Sequence, residues 1–205
     1  MSKANKVLKE YNVKNGQYAL DGQSPKPLTW LTRVALDADF GEQPIYGDGE
    51  EVLVLQNDKG YTGNITLTAP DGEFEKDLGI LEELDNGVAH VQRMSNPKVS
   101  IYFEAYFIGA DGVSKTKKVW LFGVNVSKPS LPLDQSTDNP NFSDTEYAIT
   151  VRGVNKKAND GVADFVDGNG NTQKVYRLAS VPTDVGYATF GTAIPVPKAK
   201  GTSED

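Results

Sequence analysis

The sequence contains no cysteine and one histidine in 205 residues, so two side chains common in catalysis and metal binding are absent or single. Without cysteine the chain has no disulfide, no thiol nucleophile and no thiolate ligand for a metal. A histidine-based catalytic triad or metal site would depend on His90 alone. The sequence also has no Gly-x-Ser-x-Gly motif to supply the serine of such a triad. We therefore interpret His90 as a surface or strand-packing residue.

Phosphate-binding glycine loops are also missing, and the motifs that imitate other sites fail at particular positions. Asp167–Asn171 resembles the start of a calcium loop, but Thr172 and Leu178 stand where that loop needs Gly and Glu. A Gly/Asn hairpin turn explains the segment without a metal. The adjacent pair Glu50 and Glu51 would point to opposite faces of a strand, unlike the facing carboxylates of glycosidases. We predict no catalytic residue, no metal and no cofactor, and hence no enzyme.

Long hydrophobic runs are absent as well, because no window approaches the roughly 18 apolar residues that a membrane span needs. Residues 1–14 are polar and lysine-rich, so we expect no secretory signal and assembly in a cytosol. The apolar fraction is only 38%, and 20 glycines and 11 prolines are scattered along the chain. This composition is typical of many short strands with turns and a modest core.

The net charge of −7 is unevenly distributed. Residues 34–89 carry fourteen acidic and two basic residues, whereas residues 1–33 have a net charge of +4 and residues 90–205 of +1. An acidic block opposes nucleic-acid binding, since phosphate contacts need cations. Two interpretations stay open: a solubilising surface, or a surface that must not hold DNA.

The first half of the chain predicts an extended N-terminal arm over residues 1–30, followed by alternating strands. A strand is expected over 31–38, a loop over 41–51, and a β-hairpin over 52–69 that turns at Asn57–Gly60. Asp71 is a good N-cap and Gly79 a good stop, so a short helix is predicted over about 71–79.

The densest strand pattern predicts a long hairpin over 98–128 with apolar residues on both faces. Such strands lie either in the centre of a sandwich or under a partner. Beyond it we expect a loop over 131–142 and a strand over 144–153, then weaker strands near 162–166, 173–178 and 186–190. The predicted organisation is a β domain over 31–155, C-terminal β segments over 156–194 that complete it, and a disordered tail over 195–205.

The order of these segments resembles the major tail proteins of siphophages that infect Gram-positive bacteria. The resemblance covers about residues 35–155 and depends on order and spacing. The segments that carry it are Gly60-Tyr-Thr-Gly-Asn-Ile-Thr-Leu-Thr, Pro70-Asp-Gly-Glu-Phe-Glu-Lys-Asp-Leu-Gly, Glu82-Glu-Leu-Asp-Asn-Gly, Ile101-Tyr-Phe-Glu-Ala-Tyr-Phe, Trp120-Leu-Phe-Gly-Val-Asn-Val-Ser-Lys-Pro and Tyr147-Ala-Ile-Thr-Val-Arg-Gly.

This resemblance implies a mainly β tail-tube fold: a β-sandwich or partial barrel with one short flanking helix, long arms and long loops. It implies a virion protein that forms stacked, hexameric rings around a DNA channel and meets the tape-measure, terminator and distal tail proteins. DNA would pass through without being bound, and assembly would take place in the host cytoplasm. We expect an assembly interface at Tyr102, Tyr106, Trp120, Phe122 and Tyr147, and lumen-facing acids at Asp37, Asp39, Asp48, Glu50 and Glu51.

A second hypothesis is a β-sandwich binding module, such as a carbohydrate-binding or adhesin-like domain at a tail tip or on a phage head. It would need an exposed aromatic platform. Tyr102 and Tyr106, four residues apart on one strand face, are the pair that could form one.

Overall fold

The computed structural model describes residues 7–48, 50–130, 144–158 and 161–199, and this part of the chain is mainly β. The predicted mainly β fold with one short helix is confirmed as an antiparallel, sandwich-like arrangement. The strands are β1 Val7–Leu20, β2 Lys26–Pro27, β3 Leu31–Gly47, β4 Glu50–Leu67, β5 Leu81–Leu84, β6 Gly87–His90, β7 Val99–Gly109, β8 Ser114–Val126, β9 Thr145–Val151, β10 Val154–Asn155, β11 Lys174–Val175 and β12 Arg177–Ser180, with helix α1 at Gly72–Asp77 and a 3-10 helix at Tyr187–Thr189.

One large antiparallel sheet organises the fold, with the strand order β2-β1-β7-β8-β9-β4-β3. Strand β8 has two neighbours along the edge that faces away from β7. Its residues 118–121 pair with β12, and its residues 124–126 pair with β9. The predicted hairpin over 98–128 is confirmed as β7 and β8, and the predicted strand over 144–153 as β9.

Both faces of the sheet are covered by the chain itself. One face packs under α1, where Ile65, Phe74 and Tyr147 belong to the larger core cluster. The other face carries a smaller cluster that includes Trp120 and Phe122. Residues from the C-terminal part of the chain pack against this second cluster, namely Val154, Val175, Leu178, Phe190 and Ile194. The apolar character of β7 and β8 on two faces therefore reflects a covering layer within the same chain.

The predicted helix is confirmed as α1, and its N-terminus is fixed as expected. The Asp71 carboxylate accepts a hydrogen bond from the backbone N–H of Phe74 at 3.1 Å. The same carboxylate accepts from the N–H and the hydroxyl of Thr29, at 3.0 and 2.7 Å. An N-cap of this kind contributes about 1 kcal/mol to helix stability, and here it also attaches the chain before β3 to the helix.

The expected N-terminal arm over residues 1–30 is corrected by the structure. From Val7 onward this segment is β1, which pairs along β7 in the main sheet, and Tyr18 is buried in the core. The strand is interrupted by register shifts, and Asn12 and Asn15 have left-handed backbone angles. These irregularities break the period-2 pattern, which is why the sequence does not display a strand there.

The predicted turn at Asn57–Gly60 is also wrong, since β4 runs through it as one strand from Glu50 to Leu67. Its hairpin partner is β3, which extends to Gly47 and so into the segment expected to be a loop over 41–51. The Asp58 carboxylate accepts from the Gly60 N–H at 2.9 Å, and Gly60 has φ +97°. Turn residues thus produce an irregularity inside a strand.

In the C-terminal part, β11 and β12 confirm the strand expected near 173–178, whereas residues 187–189 are a 3-10 helix where a strand was expected. The expected disordered tail is corrected for residues 195–199, because Pro197 is buried and its carbonyl accepts from the Lys157 N–H at 2.7 Å. Residues 200–205 and the predicted loop over 131–142 lie outside the described residues.

Candidate assembly surface

A two-stranded arm projects from the main sheet. It consists of Phe40–Gly47 of β3 and Glu50–Asp58 of β4, which pair with each other. The pairing of β4 with β9 covers Tyr61–Leu67, so it stops short of the arm. Eight residues of β3 at about 3.4 Å per residue give the arm a reach of about 27 Å. In the described part of the chain, no other strand pairs with either of its outer edges.

Large apolar side chains on this arm are exposed to solvent. Phe40 and Tyr46 are each 65% exposed and Val52 is 69% exposed. The cross-strand pairs Ile45–Leu53 and Pro44–Val54 are neighbours in register, so they lie on opposite faces of the arm, and their side chains are also exposed. A two-stranded hairpin of this kind is marginal in water, and contiguous exposed apolar surface marks an interaction site.

The composition of the arm limits uncontrolled edge pairing. Pro44 removes one backbone donor from the β3 edge, and the exposed acids Asp48 and Glu50 lie at the tip. Prolines and charges on an edge strand oppose indiscriminate strand addition. The arm therefore combines an apolar surface that favours contact with features that make the contact selective.

Most of the predicted interface aromatics lie inside the chain. Tyr102, Trp120, Phe122 and Tyr147 are buried, so they do not present a surface to a neighbouring subunit in this conformation. The Trp120 indole N–H donates to the Phe190 carbonyl at 2.7 Å, so the C-terminal layer occupies the place expected for a partner. This placement corrects the expectation, and it also removes Tyr102 from the predicted aromatic platform.

Tyr106 differs from the other four because it is half-buried, on β7 between Tyr11 of β1 and Thr116 of β8. Its ring stacks on Tyr11 with centroids 5.8 Å apart, and Lys14 Nζ donates to its hydroxyl at 2.8 Å. These contacts hold the ring within the chain, so Tyr106 alone does not form a binding platform.

Tyr147 belongs to a buried polar cluster beneath the helix. Its hydroxyl donates to the carboxylate of Glu75 at 2.7 Å, and Glu75 is only 2% exposed. Burial, together with this hydrogen bond, raises the pKa of Tyr147. His90 Nε2 lies 3.5 Å from the other Glu75 oxygen. The single histidine therefore packs on strand β6 against a buried carboxylate, which matches the interpretation made from the sequence.

The predicted lumen-facing acids lie on β3, at its turn and on β4. Asp37 is exposed on the body of the sheet, and Asp39 forms an ion pair with Arg152 at 2.8 Å. Asp48 and Glu50 are exposed at the arm tip, with Glu51 next in sequence. Their facing a channel stays a prediction, and they occupy two regions separated by the length of the arm.

The segment that imitates a calcium loop is a turn, as the sequence predicted. The Asp167 carboxylate accepts from the backbone N–H groups of Asn171 and Asn169, each at 2.9 Å, and these hydrogen bonds lower its pKa. Val166 and Thr172 form a bridge that closes the hairpin. Among the described residues, no group of three or more His, Cys, Asp or Glu side chains is placed to hold a metal ion.

Sequence reasoning missed the arm as a surface. Val52–Leu55 was interpreted as one strand of a compact hairpin, and Phe40 and Tyr46 fell at a strand end and in an expected loop. The available signal was the run of apolar residues in the most acidic part of the chain. No helix in the part that the structure describes has the length and apolar character needed to cross a membrane.

Comparisons with known proteins give a fold likeness of low similarity. No protein-family model matches the sequence, and no curated protein matches it. Among solved structures, a chain of the "anti-feeding prophage (AFP) baseplate, 6-fold symmetrised" matches with a TM-score of 0.41 and 9% identity, over 74% of this chain and 93% of that one. A likeness at this level does not assign a function.

Proposed function

We propose that this protein is a structural subunit that assembles with copies of itself, and that the assembly is the tail tube of a long-tailed bacteriophage. The observation that supports self-assembly is the exposure of large apolar side chains to solvent on both faces of the arm. Fully burying one such side chain contributes about 1.5–3 kcal/mol. Six of them on one projection favour a state in which another molecule covers the arm: Phe40, Ile45, Tyr46, Val52, Leu53 and Val54.

The tube is the finer part of the proposal. It is supported by the resemblance of residues 35–155 to siphophage major tail proteins and by the acidic block at residues 34–89, whose net charge is −12. An acidic lumen would give DNA no counterion-release energy for binding, so DNA could pass without being held. In this proposal the subunits form stacked hexameric rings in the virion and contact the tape-measure, terminator and distal tail proteins.

The experiment compares the full chain with a variant that has a shortened arm. Positions 43 and 55 are paired in register, so residues 44–54 can be replaced by Asn-Gly, which suits a two-residue hairpin turn. Light scattering and negative-stain microscopy should show rings or tubes for the full chain at high concentration. The shortened variant should stay monomeric, with a circular dichroism spectrum that still shows a β fold.

Two outcomes would contradict the proposal. If the full-length protein remains monomeric at every accessible concentration, the proposed self-assembly is wrong. A shortened variant that assembles as well as the full chain would show that the arm is not the contact.

A further inference from the structure

The C-terminal residues that cover the face of the sheet opposite α1 also form the wall of an open groove. Its volume is about 750 Å³, and it lies between the start of β7, the end of β8 and residues 193–197. Phe122, Val154, Ile194 and Val196 supply apolar lining. Val196 is exposed and Ile194 and Val154 are half-buried, so an apolar ligand would still remove surface from water.

The charged residues around this groove are mostly basic. Lys157 and Asp164 form an ion pair with each other at 2.7 Å, so their charges are matched. Lys98 and Lys174 remain, and the one other acid in the lining is Asp21. Within the described part of the chain, neither of these two lysines forms an ion pair. The groove thus offers an apolar lining with a small excess of positive charge.

The arm has the complementary chemistry. Its tip carries Asp48 and Glu50 with Glu51 next in sequence, and the exposed Tyr46 and Val52 follow directly behind these acids. Acids of the tip would meet Lys98 and Lys174 while the apolar side chains covered the lining. Charge complementarity of this type fixes the register of a contact and selects against wrong partners.

The position of the groove shows which molecule supplies the arm. Lys174 lines both the groove and a neighbouring depression formed by Asn57–Lys59 and Arg152, where the arm leaves the body. The groove is therefore at the base of the chain's own arm, and the tip of that arm lies about 27 Å away along the strands. Only the arm of a second copy can place its tip there.

We infer that the acidic, apolar tip of the arm of one subunit docks in the groove formed by the C-terminal layer of the next subunit. The contact joins two different surfaces of the same chain, so it is head-to-tail and repeats from copy to copy. Such a contact builds a closed ring or an open stack. The inference rests on the proposed self-assembly and names the surface that receives the arm.

Charge reversal tests the pairing of the two surfaces. The groove variant carries Lys98→Glu and Lys174→Glu, and the arm variant carries Glu50→Lys and Glu51→Lys. Each variant alone places like charges in the contact, so each should need at least about tenfold more protein to assemble. An equimolar mixture should assemble like the wild type, because each arm then meets a groove of opposite charge.

The control variant Lys9→Glu with Arg33→Glu changes the net charge as much as the groove variant does, at exposed positions outside the groove. It should assemble like the wild type, and light scattering follows all the samples. Assembly of the groove variant at wild-type concentrations would overturn the inference, and so would a mixture that stays unassembled. A wild type that never assembles would overturn the proposed function together with this inference, whereas a failure confined to the variants concerns the groove alone.

A cross-link provides a second measurement that needs no loss of assembly. The sequence has no cysteine, so Glu50→Cys in one copy and Lys98→Cys in another introduce the only thiols. Under mild oxidation the mixture should give a disulfide-linked dimer on a non-reducing gel. A mixture in which Lys9→Cys replaces Lys98→Cys should not. Equal yields in the two mixtures would contradict docking in the groove.

Discussion

At the residue scale, Trp30 occupies a backbone conformation that a bulky side chain rarely adopts. Its φ is +62° and its side chain is 68% exposed. The neighbouring contacts impose this geometry, since Thr29 donates twice to Asp71 and the Trp30 carbonyl accepts from the Thr68 N–H at 3.0 Å. Left-handed backbone costs an ordinary residue about 1–2 kcal/mol. The hydrogen bonds around the N-cap of α1 therefore maintain the strained backbone, whereas burial of the indole does not contribute.

This strain predicts an inverted order of stability at position 30. Trp30→Gly should be more stable than Trp30→Ala by about 1 kcal/mol, because glycine adopts positive φ without a Cβ clash. Urea unfolding of the two variants measures the difference. At the exposed strand position Asn64, whose φ is not positive, the alanine variant should be the more stable one. Alanine being equal or better at both positions would show that position 30 is unstrained.

At this scale the sequence predicts a conformation only when nearby residues in the chain determine it. Asp71 and Gly79 were predicted as helix boundaries because a cap depends on residues two or three positions away. The conformation of Trp30 depends on contacts with Thr68 and Asp71, about forty residues away, so no local pattern could show it. Burial of Trp120 similarly depends on Phe190, seventy residues along the chain.

At the element scale, α1 ties the start of the chain to the sheet through one carboxylate. Asp77 accepts from the Tyr18 hydroxyl at 2.8 Å and from Lys26 Nζ at 2.5 Å, so it contacts both β1 and β2. Burial acts to raise the pKa of Asp77, but the hydrogen bonds from Lys26 and Tyr18 outweigh it and hold the pKa below its ordinary range. The ionised carboxylate is therefore the form that the fold stabilises.

Asp77→Asn should lower the free energy of unfolding by about 1 kcal/mol at pH 7, because two charge-assisted hydrogen bonds are weakened. A lowered pKa in the folded state gives stability that is present above the unfolded pKa of about 4 and is lost as the pH falls through the folded value. The difference between wild type and variant should therefore shrink between pH 5 and pH 2 in urea unfolding. Glu82→Gln on the exposed β5 strand is the control, and a difference independent of pH would contradict the assignment.

Strand elements were predicted well where one period holds without interruption. In strand β9 every second residue is buried and the residues between them are exposed or half-buried, and its sequence displays that alternation. The arm was missed because Asn57–Gly60 has the composition of a hairpin turn. The hydrogen bond from the Gly60 N–H to the Asp58 carboxylate is compatible with a hairpin turn and with an irregularity inside a strand. Strand β9 passes so close that a Cβ on Gly60 would lie 2.1 Å from the Val151 carbonyl oxygen. Pairing with β9 favours the strand irregularity over the turn, and a four-residue motif contains no information about that distant strand.

At the scale of the whole molecule, the five acids predicted to face the lumen divide into a body region and an arm tip. The tip acids dock in the groove of the next subunit in the contact inferred here, so among these five Asp37 is the exposed acid on the body of the sheet. Asp39 is compensated by Arg152 and contributes less free charge. This division turns the lumen prediction into a question about one position.

Asp37→Lys should convert a non-binding channel into one that retains DNA, if residue 37 faces the lumen of an assembled tube. Every subunit would then contribute a cation, and phosphate contacts gain counterion-release energy that falls as salt rises. Co-sedimentation of short double-stranded DNA with assembled tubes measures retention at low and high salt. Glu82→Lys makes the same change of charge on the exposed β5–β6 hairpin. Equal DNA retention by the two variants would place Asp37 on the outside of the tube, whereas retention by Asp37→Lys alone would place it on the lumen wall.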